Sequence, residues 1–175
     1  MNNTEFRTST SIASEINRLV RELENRRTFA SDFYEELRSH ASYLKATTIG
    51  SDSVDEKKRR FKRIGVLLEE LKENYWDITD LLMELNGIEI LTSDLLERGT
   101  QLSRDLVLAL KQMEPIARNT YKSLRSNELR SVGNDLHTVV ENKKFFELDE
   151  VLNKLFIEIG HRSSQLEDLR QKRIL

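Results

Sequence analysis

The chain has 175 residues, with 28 basic and 30 acidic side chains and a formal charge of −2. It is long enough to bury a core as one domain, and its balanced charge provides no overall field toward nucleic acid or an anionic membrane. The absence of cysteine excludes disulfides, thiolate nucleophiles and cysteine-based zinc or iron–sulfur sites, and fits a reducing, cytoplasmic or nuclear setting.

The N-terminal MNNTEFRTSTS has no apolar stretch of the secretory type, and residues 1–10 read as a flexible polar tail. The longest uninterrupted apolar run, Leu106 to Leu110, is far too short to cross a bilayer. From Ile12 the apolar residues Ile16, Leu19, Leu23, Ala30, Phe33, Leu37 and Leu44 recur in steps of three and four, with Arg26 and His40 in phase. That spacing predicts one long amphipathic helix of about 35 residues, or about 50 Å. It predicts that Arg26 snorkels or meets a buried acid, and that His40 sits at the core boundary. The helix stops in TTIGSDSVD around Gly50.

Ser53-Val54-Asp55-Glu56 has the pattern of a capping box and opens the second helix. Its stripe is the most regular of the chain: Phe61, Ile64, Leu68, Leu71, Tyr75, Ile78, Leu82 and Leu85, a heptad seam widened by Val66, Leu67 and Leu81. Trp76, one residue out of phase with Tyr75, is expected at the edge of the core, with an exposed anchor for a partner as the alternative. Asn86-Gly87 ends this helix, and a third begins between Ile88 and Ser93. Its face is Leu95, Leu102, Leu106, Leu110, Met113, Ala117, Tyr121 and Leu124, with Pro115 inside and a kink expected there. After Ser126-Asn127 a last helix carries Leu129, Val132, Leu136 and Val139, then Leu148, Leu152, Leu155, Ile159, Leu166 and Leu169. The phase slips between Glu141 and Glu147, which places a break near Asn142-Lys143-Lys144. The expected fold is therefore all-α: an antiparallel up-down bundle of about four long amphipathic helices, filling residues 11–175 as a single domain. Gly65, Gly99 and Gly133 are spaced by 34 residues, but the residues around them do not match, so no repeat is assigned. With Gly160 they lie inside helices, at about 1 kcal/mol each relative to alanine, which points to close helix approach or local bends.

Candidate chemistry is sparse. Arg130 and His137 form an Arg-x6-His pair similar to the Arg-x4–6-His of ribonucleases of the HEPN superfamily, in which the Arg stabilises phosphate and the His acts as acid or base. One such pair is what the Arg and His content yields by chance. Glu158 and His161 make a single Glu-x-x-His, half of what a di-iron bundle needs. No catalytic, cofactor or metal site is assigned on these grounds, and no small-molecule substrate is evident. The strongest local charge is Lys57, Lys58, Arg59, Arg60, Lys62 and Arg63 around Phe61, on the first turns of the second helix. It suits an anionic surface, or acidic neighbours within the bundle. Phe145-Phe146 at the predicted break is a second candidate contact. These eight residues are the expected contact surface of a non-enzymatic interaction or adaptor bundle that binds a protein partner or self-associates. Membrane association through the basic cluster is the alternative, a HEPN-like ribonuclease the second alternative, and nucleic acid the least favoured partner.

Overall fold

The computed structural model describes the backbone of residues 3–46, 54–88, 93–123 and 126–174, and side chains over 12–46, 55–88, 94–116, 118 and 128–161. Five helices follow one another: α1 (Asn3–Ala46), α2 (Val54–Asn86), α3 (Ser93–Ser123), α4 (Ser126–Val140) and α5 (Lys143–Ile174). Ser53 of the capping pattern, the TTIGSDS segment, and the side chains of Ala117, Tyr121, Leu124, Leu166 and Leu169 lie outside the described residues. The backbone of α1 is helical from Asn3, inside the segment read as a tail.

The up-down bundle is present. Falling along α1 from Glu36 to Arg26 to Arg18, the α2 partners rise from Arg63 to Asp77 to Glu84, so the two helices are antiparallel. The same sense relates α2 to α3 through Lys72–Glu114 and Thr79–Ser103, and α3 to α5 through Arg98–Glu147 and Asp105–Lys144. α2 packs along both α1 and α3, while α4 lies against α1 and α5 against α3. Thus α4 and α5 together occupy the fourth corner, and the expected last helix is two.

The reason for that division is local. Asn142 accepts the amide of Lys144 on its side-chain oxygen at 3.0 Å, acting as the N-cap of α5. Upstream, the C-terminal carbonyls of α4 have no intrahelical partner, and the Tyr34 hydroxyl of α1 donates to that of Val140 at 2.5 Å. The break restarts the apolar phase, so Val140 rather than Val139 is fully buried, and Phe145 and Leu148 follow on the core side.

All eight seam residues of α2 are buried. On α3 the inward register is Leu96, Leu102, Leu106, Leu110 and Met113, and Leu95 only flanks it. α3 continues as a helix through Pro115. Between α2 and α3 the Ser103 hydroxyl donates to the Tyr75 carbonyl at 2.6 Å, and Thr79 donates toward Ser103 at 2.8 Å, so two buried hydroxyls are satisfied where these helices meet. Among the described residues no helix is long and apolar enough to cross a membrane.

Two expected core positions are surface ones. Arg26 is exposed and meets Asp77 of α2 at 3.5 Å, so its acid is at the surface rather than buried. Trp76 is 47% exposed. The core direction of α2 runs through Tyr75 and Ile78, and one residue further round the helix already turns the indole outward.

Candidate functional site

The basic start of α2 is only partly engaged with the rest of the bundle. Arg63 holds Glu36 of α1 with both nitrogens, at 2.6 and 2.8 Å, which keeps the Glu36 carboxyl below the usual carboxylate range. Glu56 receives Arg59 at 2.6 Å and Arg60 at 3.2 Å, and Arg60 also lies 3.6 Å from the centre of the Tyr43 ring. Lys57 is buried. Lys58 and Lys62 remain exposed, with no carboxylate at ion-pair distance among the described residues. Asp55 and Glu56 in the first turn complement the helix dipole that the cations oppose.

The aromatic corner divides in the same way. Phe145 is buried, 5.0 Å from Tyr34 and 5.7 Å from Tyr75 between ring centres, so it closes the core and offers nothing to a partner. Phe146 is 54% exposed and meets Tyr34 edge-on at 6.3 Å. Around them a cleft of about 190 Å³ is bordered by Tyr34, Tyr75, Phe146 and the Arg27–Asp149 ion pair at 2.7 Å. Burial, then the neighbouring Tyr34 and Asp149, pushes the Tyr75 phenol far up, and burial and Glu141 raise that of Tyr34. Both phenols therefore stay protonated at neutral pH, and that of Tyr34 serves as a hydrogen-bond donor to Val140.

The scattered chemical motifs do not converge. Arg130 and His137 stand two turns apart on α4, about 10 Å along its axis, with Arg130 exposed and His137 half-buried. His161 is exposed near Gly160. His40 is half-buried, 3.7 Å from Glu36, and its Nδ1 has no hydrogen-bond partner among the described residues. No three His, Asp or Glu side chains among the described residues are grouped to hold a metal ion.

What the residue pattern did not single out is the outer face of α2 toward α3. Among the described residues, a methyl group built on Gly65 meets nothing within 4 Å. Gly65 lines a groove of about 340 Å³ with Phe61, Lys62, Leu68, Glu69, Glu114 and Arg118. Lys72 ties the two carboxylates together, at 2.9 Å from Glu69 and 2.7 Å from Glu114, and its own pKa is raised by Glu114 and Glu69. Eleven residues on from Gly65, three turns and about 16 Å along the helix, the same face presents Trp76, and beyond it Met83, 50% exposed. The signal was in the sequence: Lys58, Gly65, Lys72, Trp76 and Met83 share one helical face beside the seam.

Comparisons with models of protein families, with curated proteins and with solved structures find no match to this chain.

Proposed function

We propose that the protein is a non-enzymatic interaction bundle that acts by binding another protein, in the reducing compartment that its lack of cysteine fits. Trp76 carries this reading. It is the chain's only tryptophan, and 47% of it is exposed on a bundle whose seam positions are otherwise filled. A half-exposed indole contributes little to the core and supplies large, rigid contact area to a partner, which is why tryptophan is enriched at interface hot spots. The engaged Arg59, Arg60 and Arg63 leave less charge for an anionic membrane than the sequence run suggests.

Light scattering on the eluting protein and affinity capture, run on wild type and Trp76→Ser, test the reading. Wild type is expected to self-associate or retain a protein, and Trp76→Ser to lose this with an unchanged thermal midpoint. A monomer that retains nothing, or a Trp76→Ser variant that behaves as wild type, would sink it.

A further inference from the structure

Four glycines stand inside helices of this bundle, and the packing accounts for only two. A methyl on Gly133 would meet the Lys45 amide nitrogen at 2.7 Å and Leu44 at 2.8 Å, and one on Gly99 would meet Leu82 at 3.1 Å. There glycine permits close approach of neighbouring helices. Among the described residues Gly65, like Gly160, has open space instead, so no packing described there offsets the helix-destabilising effect of lacking a side chain. We infer that Gly65 is kept free for a helix of another protein, and that the α2–α3 groove from Gly65 to Trp76 is the seat of an acidic amphipathic helix. This rests on the interaction reading above and gives it a place and a partner chemistry.

The groove has the required shape and charge. Its floor is apolar at Phe61 and Leu68, and a bare backbone at Gly65 lets a second helix come close. Lys62 and Arg118 stand on opposite rims, from α2 and α3, and Lys58 lies one turn or so above. None of the three has a carboxylate at ion-pair distance among the described residues, whereas Glu69 and Glu114, further down the groove, share the single cation of Lys72 and leave one acid in excess there. The unmatched charge is therefore positive at the upper end, and Glu or Asp flanking an apolar stripe complements it. Trp76, three turns below Gly65, anchors the other end. A second copy docking by the same patch about a two-fold axis would bring these cations against themselves, so self-association is not the favoured occupant.

Two helical peptides of about three heptads provide the test, both with Leu and Ala on one face, one flanked by Glu and the other by Lys. Their binding to the full chain is followed by fluorescence anisotropy at physiological salt. The Glu-flanked peptide is expected to bind and the Lys-flanked one not to. Gly65→Leu, whose side chain enters open space, is expected to weaken binding at least about tenfold without lowering helicity or the thermal midpoint. Trp76→Ala is expected to weaken it as well. The pair Lys62→Glu and Arg118→Glu is expected to transfer the preference to the Lys-flanked peptide. Equal binding by Gly65→Leu, or no preference between the peptides, overturns this placement and leaves the broader interaction reading standing. Vesicles with anionic lipid that bind wild type and displace the peptide overturn it in favour of a membrane. A chain that binds neither peptide nor any protein loses both the placement and the interaction reading.

Discussion

Gly133 on α4 and Gly65 on α2 are the same residue in the same kind of element, yet the molecule treats them in opposite ways. At Gly133 the backbone of α1 approaches so closely that a methyl would lie under 3 Å from Lys45 and Leu44. At Gly65 no described residue comes within 4 Å of such a methyl. The first position lies where the bundle is closed on itself, beside the corner in which Tyr34 caps the carbonyl of Val140 and Phe145 fills the core. The second lies on a face the bundle leaves uncovered. Tight packing and open surface are thus separated on this protein: the α1–α4 corner concentrates internal constraint, and the outer face of α2 is tied to α3 only by Lys72–Glu114 and Arg104–Met83 among the contacts of the described residues.

That contrast is broken most severely from the closed side. Phe145→Ala removes a buried ring that touches both Tyr34 and Tyr75, and a loss of about 3–5 kcal/mol in unfolding free energy is expected from urea titration. Phe146→Ala, next to it but half exposed, is expected to cost below about 1 kcal/mol. Comparable losses for the two would mean that the corner is not closed as described. Gly133→Ala comes next, with an expected loss of about 1–3 kcal/mol because α4 must move away from the backbone of α1. Gly65→Ala is expected to change stability in the opposite direction, with a gain of about 0.5–1 kcal/mol from helix propensity alone. If both glycine variants destabilise, the difference between the two regions disappears.

The architecture was legible because α2 and the first part of α5 keep their apolar residues in strict phase, and because the phase slip after Glu141 is large enough to mark the break at Asn142. The residues at risk were those one step off a seam. Leu96 and Val140 replace Leu95 and Val139 as core residues, since a single residue turns the side chain by about 100°. Trp76 was misplaced for the same reason, its size outweighing its phase. The basic cluster was visible as a run of charge, but Glu36, which engages Arg63, comes from another helix, 27 residues away in sequence. Sequence spacing carries no information about such cross-helix pairs. Gly65 was noticed as a glycine within a helix, and only the surroundings of each glycine separate a packing role from an empty groove.

A smaller effect sharpens the contrast from the α1–α2 contact, where His40 sits beneath the basic turns. Burial is the largest influence on His40 and Arg60 the next, both favouring the neutral ring; Glu36 works against them, and Arg63 adds to the lowering. The folded-state pKa is therefore below the ordinary value of 6.5. As pH falls below that value the unfolded chain takes up the proton first. Stability contributed by the neutral ring is complete above pH 6.5 and is lost as pH falls through the lowered folded-state value. His40→Gln cannot titrate, so chemical denaturation across neutral to mildly acidic pH should show a shallower loss than wild type. A wild-type stability that rises over this interval, or an equally steep loss in His40→Gln, would show that Glu36 outweighs burial and Arg60 at this contact, or that other groups govern the acid response. The outer face of α2 has no histidine, so the same acidification should leave peptide affinity at the Gly65 groove unchanged for as long as the bundle stays folded.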